Sequence, residues 1–174
     1  MSSEQGKIAV VGMAGRFPGA KNIQEYWDNL LNGKESIRHF KDEELQDYEI
    51  DYNKLKDNPN FVPARGVLEN IDAFDAHFFG ISPQEASLTD PQHRVWLETV
   101  WKAFENAGCN PYDYKGNIGV YAGGYANTYL LNNILRDPIR YENYIRLRTT
   151  ESFQIATTND ISHLPTKTAY QFNL

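Results

Sequence analysis

Only two stretches of this 174-residue chain read clearly as β-strands, and that scarcity limits the folds open to it. Lys7-Ile-Ala-Val-Val-Gly12 is a compact apolar run ending at glycine, the pattern of a strand covered on both faces. Asn117-Ile-Gly-Val-Tyr-Ala122, followed by Gly123-Gly124, is the second. A sheet that stands by itself generally needs three or more strands. The chain therefore reads as α/β with an incomplete sheet, and helices must supply most of the packing.

Those helices are marked by their caps. Asn22 precedes Ile23, Tyr26, Trp27, Leu30 and Leu31 at helical spacing, Glu25 lies three residues after the cap, and Gly33 falls at the stop. This predicts an amphipathic helix packed on the first strand. Residues 34–66 are polar and aperiodic, with at most a short helix around Asp42–Asp47. Phe74, Phe78 and Phe79 then supply large apolar anchors. Asp90-Pro91 is a cap followed by proline at the first helical position, and it opens the longest periodic helix, which Gly108 ends. Its apolar face, from Val95 to Ala107, is wide enough to predict extensive burial. Residues 125–148 read as partly helical and broken by Pro138, and Asp160–Tyr170 as a last helix with Pro165 near its first turn.

Composition excludes several classes. Aromatic residues make up 13% of the chain, more apolar surface than disorder carries. The 17 basic against 23 acidic residues leave a net charge of −6, which argues against nucleic acid as a partner. No run approaches a membrane span, and Met1–Gly6 is a polar lead without the features of a secretion signal, so a cytoplasmic protein is expected. With Cys109 alone, no internal disulfide can form. The charge is uneven: residues 125–174 hold 5 basic and 4 acidic side chains. Arg136, Arg140, Arg146 and Arg148 among them form either a small basic patch or a set of separately solvated side chains.

No complete catalytic set emerges from the residues themselves. Gly12-Met-Ala-Gly15 invites a nucleotide-binding reading, yet the glycine spacing is wrong for a dinucleotide loop and no helix is expected at the second glycine. His39, His77, His93 and His163 fall outside metal-ligand spacing, and His93 is expected to be partly exposed and hydrogen-bonded. Cys109 follows a helix C-terminus, where the helix dipole disfavours a thiolate, so it reads as structural.

The motifs taken in order resemble a known family. Lys7–Ala20 (KIAVVGMAGRFPGA) is similar to the opening strand and loop of β-ketoacyl synthases from modular polyketide or hybrid peptide–polyketide synthases. Phe78–Gly108 (FFGISPQEASLTDPQHRVWLETVWKAFENAG) resembles that family's central signature. Gly119–Leu131 (GVYAGGYANTYLL) is similar to its second strand and the segment after it, and Thr158–Leu174 to the run towards its active-site strand.

The resemblance implies the N-terminal part of an α/β thiolase-like fold over residues 7–174. It also implies a parent acyltransferase, homodimeric, that condenses acyl and malonyl-type units by decarboxylation. Substrates ride on the phosphopantetheine of an acyl carrier protein, and no cofactor or metal is bound. The family's cysteine nucleophile and two histidines fall beyond Leu174, and neither Cys109 nor the four histidines match them. The chain alone is therefore expected to be inactive. By analogy Tyr125, Ala126 and Asn127 would line the acyl pocket, and Arg136, Arg140, Arg146 and Arg148 would meet the acidic carrier. Gly124-Tyr125-Ala126 departs from the more usual Val-Ser-Met, and Pro165 and Lys167 from Ala and Arg, which bears on acyl specificity. Two other readings are a catalytically dead split or dimerisation module and a small nucleotide-binding α/β domain.

Overall fold

The computed structural model describes residues 6–45 and 52–174. The chain divides into two compact units, one of Gly15–Asn70 and one of Met1–Ala14 with Ile71–Leu174.

In the smaller unit Phe17 and Ala20 exchange two backbone hydrogen bonds (2.8 and 3.0 Å), and Phe17 stacks on Tyr26 with ring centroids 4.1 Å apart. Helix α1 (Ile23–Leu31) starts where the Asn22 side chain accepts the Glu25 N–H at 2.8 Å. The Glu25 carboxylate reaches back to the Lys21 N–H at 2.9 Å, one residue before the cap, and so ties the incoming chain to the first turn. Gly33 takes a left-handed conformation (φ 61°) that ends the helix. No residue of α1 is buried, so its apolar face is not covered as the sequence suggested. Strands β1 (Ile37–His39) and β2 (Ala64–Gly66) pair antiparallel, with Arg38 opposite Arg65. Helices α2 (Asp42–Leu45) and α3 (Tyr52–Lys56) lie between them in sequence. The helix expected around Asp42–Asp47 is α2, and its last two positions fall outside the described residues.

The larger unit is helical. Helix α4 (Pro83–Leu88) opens with Ser82 capping the Glu85 N–H, and α5 (Pro91–Asn106) with Asp90 capping the Gln92 N–H. After α5, Gly108 supplies a left-handed stop (φ 61°). A π-helical turn (Leu130–Ile134) leads to α6 (Pro138–Ile145) and α7 (Thr150–Asn159). A 3₁₀ turn (Ile161–His163) then runs into α8 (Leu164–Phe172). Pro138 begins a helix rather than interrupting one, because Asp137 caps it and a missing N–H is harmless at the first position. Pro165 sits in the first turn of α8 for the same reason.

Two apolar clusters hold this unit. Phe79, Ile81, Ala86, Leu97 and Phe172 form the first, with Trp101 and Phe104 packed against it. Leu88, Ile134 and Ile155 form the second, joined by Tyr129 and Tyr144. The face of α5 is less buried than its width suggested: Leu97 is its one fully covered apolar side chain, and the other buried residues are His93 and Arg94.

Neither run expected as a strand is one. Ile8, Val10 and Tyr121 are 95%, 76% and 92% exposed, and the only sheet among the described residues is β1–β2. A continuous apolar run becomes a buried strand only when neighbours supply ladder hydrogen bonds on its edges and cover on both faces. The first run ends against α5 instead. A side chain on Gly12 would meet the Ala103 carbonyl at 2.7 Å and Ala107 Cβ at 2.8 Å, and the Met13 N–H donates to Asn106 Oδ1 at 2.9 Å. No helix begins at Gly15, which removes the phosphate-facing helix N-terminus that a nucleotide loop requires.

Leu97 is central to the larger core. Its replacement by alanine is expected to cost about 2–5 kcal/mol in urea unfolding. A loss under about 1 kcal/mol would show that this cluster does not carry the unit.

Candidate functional site

The polar groups with the densest mutual connections sit where α4 meets α5. The Leu88 carbonyl lies at the end of α4, where helical carbonyls lose their partners. It accepts from Asn159 Nδ2 at 2.7 Å and from Thr158 Oγ1 at 3.2 Å, both on the last turn of α7. In return the Asp90 N–H donates to the Thr158 carbonyl at 3.1 Å. Thr158, Asn159, Thr89 and Asp90 are all buried, so these bonds satisfy groups that would be costly to leave unpaired.

The segment after residue 122 is tied to this junction at both ends. Gln92, on the first turn of α5, accepts the Tyr125 N–H on Oε1 at 3.0 Å and donates from Nε2 to the Tyr125 carbonyl at 3.3 Å. The same Nε2 donates to Asp90 Oδ2 at 3.1 Å, which orients the amide. Two residues on, Asn127 Nδ2 donates to the Asn159 carbonyl at 2.8 Å and to Asn159 Oδ1 at 3.0 Å. Asn127 Oδ1 accepts the Leu130 N–H at 2.9 Å and so caps the following helical turn. Gly124 is in close contact as well: a side chain there would collide with Ile161 Cδ1 and come within 3.3 Å of Gln92 Oε1.

The three residues singled out by resemblance therefore divide. Tyr125 presents an 84% exposed side chain from a firmly held backbone, and Ala126 is exposed beside it. Asn127 is half-buried, with its amide occupied by Asn159 and Leu130. Gln92 and Asn159 belong to this group although the sequence does not single them out. The Asp90-Pro91-Gln92 run is legible only as a helix start, yet an amide one residue past the proline carries donors and acceptors to spare.

Three of the four arginines, Arg140, Arg146 and Arg148, are grouped around carboxylates. Arg140 pairs with Glu151 at 3.3 Å, while Arg146 and Arg148 both approach Glu142, at 3.4 and 3.8 Å. These are half-exposed surface pairs of small individual worth. Cys109 is half-buried at a cleft of about 450 Å³ lined by Trp101, Phe104 and Tyr112, and its own N–H bonds the Phe104 carbonyl. Among the described residues no group of three potential metal ligands converges. None of the described helices is long and apolar enough to cross a membrane.

His93 departs from expectation. It is 1% exposed, and among the described residues neither Nδ1 nor Nε2 has a hydrogen-bond partner. The helical pattern puts residue 93 on the inner side of α5, which outweighs the polarity of its ring. Burial pushes its pKa below 6.5; Asp90 and Asp160 oppose that shift, while Lys167 and His163 add to it.

The chain belongs to the β-ketoacyl synthases: residues 5–174 match the beta-ketoacyl synthase N-terminal domain. It is 43% identical over its whole length to a subunit of the phenolphthiocerol/phthiocerol polyketide synthase of Mycobacterium tuberculosis, and spans 12% of that protein. It is 42% identical over 127 residues to polyketide synthase PksL of Bacillus subtilis, covering 70% of this chain and 3% of that one. In structure it resembles the ketosynthase from module 1 of the bacillaene synthase of Bacillus amyloliquefaciens, with a TM-score of 0.73 and 34% identity over 95% of this chain and 27% of that one. The fold is thus the N-terminal part of the thiolase-like ketosynthase fold.

The burial of an unpaired His93 has a pH signature. The native state holds the ring neutral below the pH at which the unfolded chain takes up a proton, so stability is full above about pH 6.5 and falls as pH drops towards the lowered native pKa. His93→Leu is expected to flatten that slope, by at most about 1.4 kcal/mol per pH unit for one proton. Unfolding titrations between pH 7.5 and 5 with equal slopes for both proteins would contradict it.

Proposed function

We propose that this segment works as the N-terminal part of a condensing enzyme that lengthens carrier-bound acyl chains in polyketide biosynthesis. In this reading an acyl group passes from the phosphopantetheine sulfur of an acyl carrier protein to an enzyme thiolate. A malonyl-type unit on a carrier then loses its carboxylate as carbon dioxide. The carbanion so formed attacks the acyl carbonyl and expels the enzyme thiolate. A helix N-terminus lowers the thiol pKa, and two histidines stabilise the developing enolate.

The match of residues 5–174 to the family's N-terminal domain carries this proposal. Cys109 follows the end of α5 instead of opening a helix, so we assign the nucleophile outside residues 1–174, and by the family resemblance the two histidines with it. The chain by itself is then inactive. Its contribution is a rigid wall: Tyr125 and Ala126 line the acyl pocket, and Asn127 anchors the segment that presents them. The enzyme is assigned to the cytoplasm as a homodimer, with the carrier protein as its working partner.

Arg136, Arg140, Arg146 and Arg148 are the proposed contact for the acidic carrier. Glu142 and Glu151 already neutralise part of this surface, so docking exchanges one set of carboxylates for another. Such an exchange favours encounter rate over affinity and weakens with salt.

The protein carrying this segment, mixed with acyl-loaded and malonyl-loaded carrier proteins, is expected to yield the β-ketoacyl-carrier product by intact-protein mass spectrometry. Acylation of the 174-residue chain at Cys109 by the same donors would overturn the assignment of the nucleophile. Reversal of the four arginines to glutamate is expected to slow acyl loading several-fold at low salt. Unchanged loading would remove them from the docking surface.

A further inference from the structure

Two of the connections at the α4–α5 junction do more than hold helices together. Gln92 bonds both the N–H and the carbonyl of Tyr125, as a neighbouring strand would, yet it does so with a single side chain. Its own orientation is fixed by the Asp90 carboxylate, which also caps α5. Asn159, fixed in turn by the Leu88 and Ile155 carbonyls (2.7 and 2.9 Å), holds the far end of the segment through Asn127. Just before the first clamp the backbone lies so close to Ile161 that position 124 admits no side chain without displacement. A segment with the exposure of a flexible loop is thereby denied its freedom, while the Tyr125 ring is left 84% exposed.

We propose that Gln92 is a positioning residue for acyl-chain selection: it sets the backbone at Tyr125 and so the place of the ring that limits which acyl thioesters fit. This rests on the assignment of Tyr125 to the acyl pocket. The physical basis is that selectivity in an apolar pocket depends on wall position to a fraction of an ångström, and a wall on a loose segment discriminates poorly. Gln92 does not touch the acyl group. It acts through two hydrogen bonds to a main chain that has no strand partner among the described residues. Asn159 and the bare Gly124 share the task from the other sides.

The test separates the clamp from the chemistry. In the 174-residue chain, Gln92→Met, which keeps the length and apolar volume of the side chain but removes both polar atoms, is expected to speed amide exchange at Tyr125 about tenfold. Exchange in β1 and β2 should stay as it was. In the protein carrying this segment, the ratio of kcat/KM for a short straight acyl thioester over a bulky branched one should shift for Gln92→Met and for Tyr125→Ala. The double variant should show no more than the larger single effect, because one residue acts through the other. Gly124→Ala should disturb the same ratio, and Ile161→Ala added to it should restore it by making room.

Unchanged exchange at Tyr125 in Gln92→Met would overturn the clamp. Selectivity effects of Gln92→Met and Tyr125→Ala that simply multiply would overturn action through Tyr125. Absence of condensation in the unmodified protein would instead overturn the functional reading on which the selectivity arm depends, and the exchange result would still decide the clamp.

Discussion

The Leu88 carbonyl, at the open end of α4, accepts from two neighbouring side chains of α7, and the Asp90 N–H answers by donating to Thr158. Much else in the larger unit depends on that exchange. It fixes the turn between α4 and α5, and therefore the direction in which the long helix leaves. It buries Asp90 with its carboxylate aimed at the first turn of α5, which orients Gln92. Gln92 and Asn159 then hold the 125–127 segment. In its buried part, loss of the Asn159 side chain takes a donor from the Leu88 carbonyl in a place water does not fill, rather than merely removing a surface contact.

The functional consequence is a division of labour between rigid and exposed parts. At the junction Leu88, Asp90, Thr158 and Asn159 are buried and hydrogen-bonded to one another, while the side chains of Tyr125 and Ala126 are exposed. An acyl pocket of the kind proposed needs walls that hold a chain without reacting with it. A main chain gripped from both ends offers such a wall. The arginine group around α6 is different in kind: its pairs are half-exposed and readily exchanged, as suits a transient encounter.

How much of this is legible in the sequence depends on where each signal lies. Helix starts are readable because Asn22 and Asp90 carry oxygens that must find backbone donors, and Pro91 suits only a first turn. Helix α7 does not stand out, since its buried positions include Ser152, Thr158 and Asn159, and an inward face of polar residues leaves no apolar period. Helix α4 is too short to show a period, although Ser82-Pro83-Gln84-Glu85 has the cap and the acidic third residue of a helix start. The β1–β2 pair is three residues long on each side, too short for alternation to show. Lys7–Gly12 and Asn117–Ala122 have the composition of buried strands, yet composition cannot supply the ladder that would make them so. The 125–127 segment is marked by family resemblance, whereas Gln92 and Asn159 need three-dimensional proximity across 33 and 32 positions.

The central claim is that junction and segment form one cooperative unit, and a double-mutant cycle measures it most directly. Urea unfolding of Gln92→Ala, Asn159→Ala and the double variant gives the coupling between two residues that meet only through the shared network. A coupling of about 0.5–3 kcal/mol is the predicted result. Effects that add to within about 0.3 kcal/mol would show two independent anchors and contradict the account.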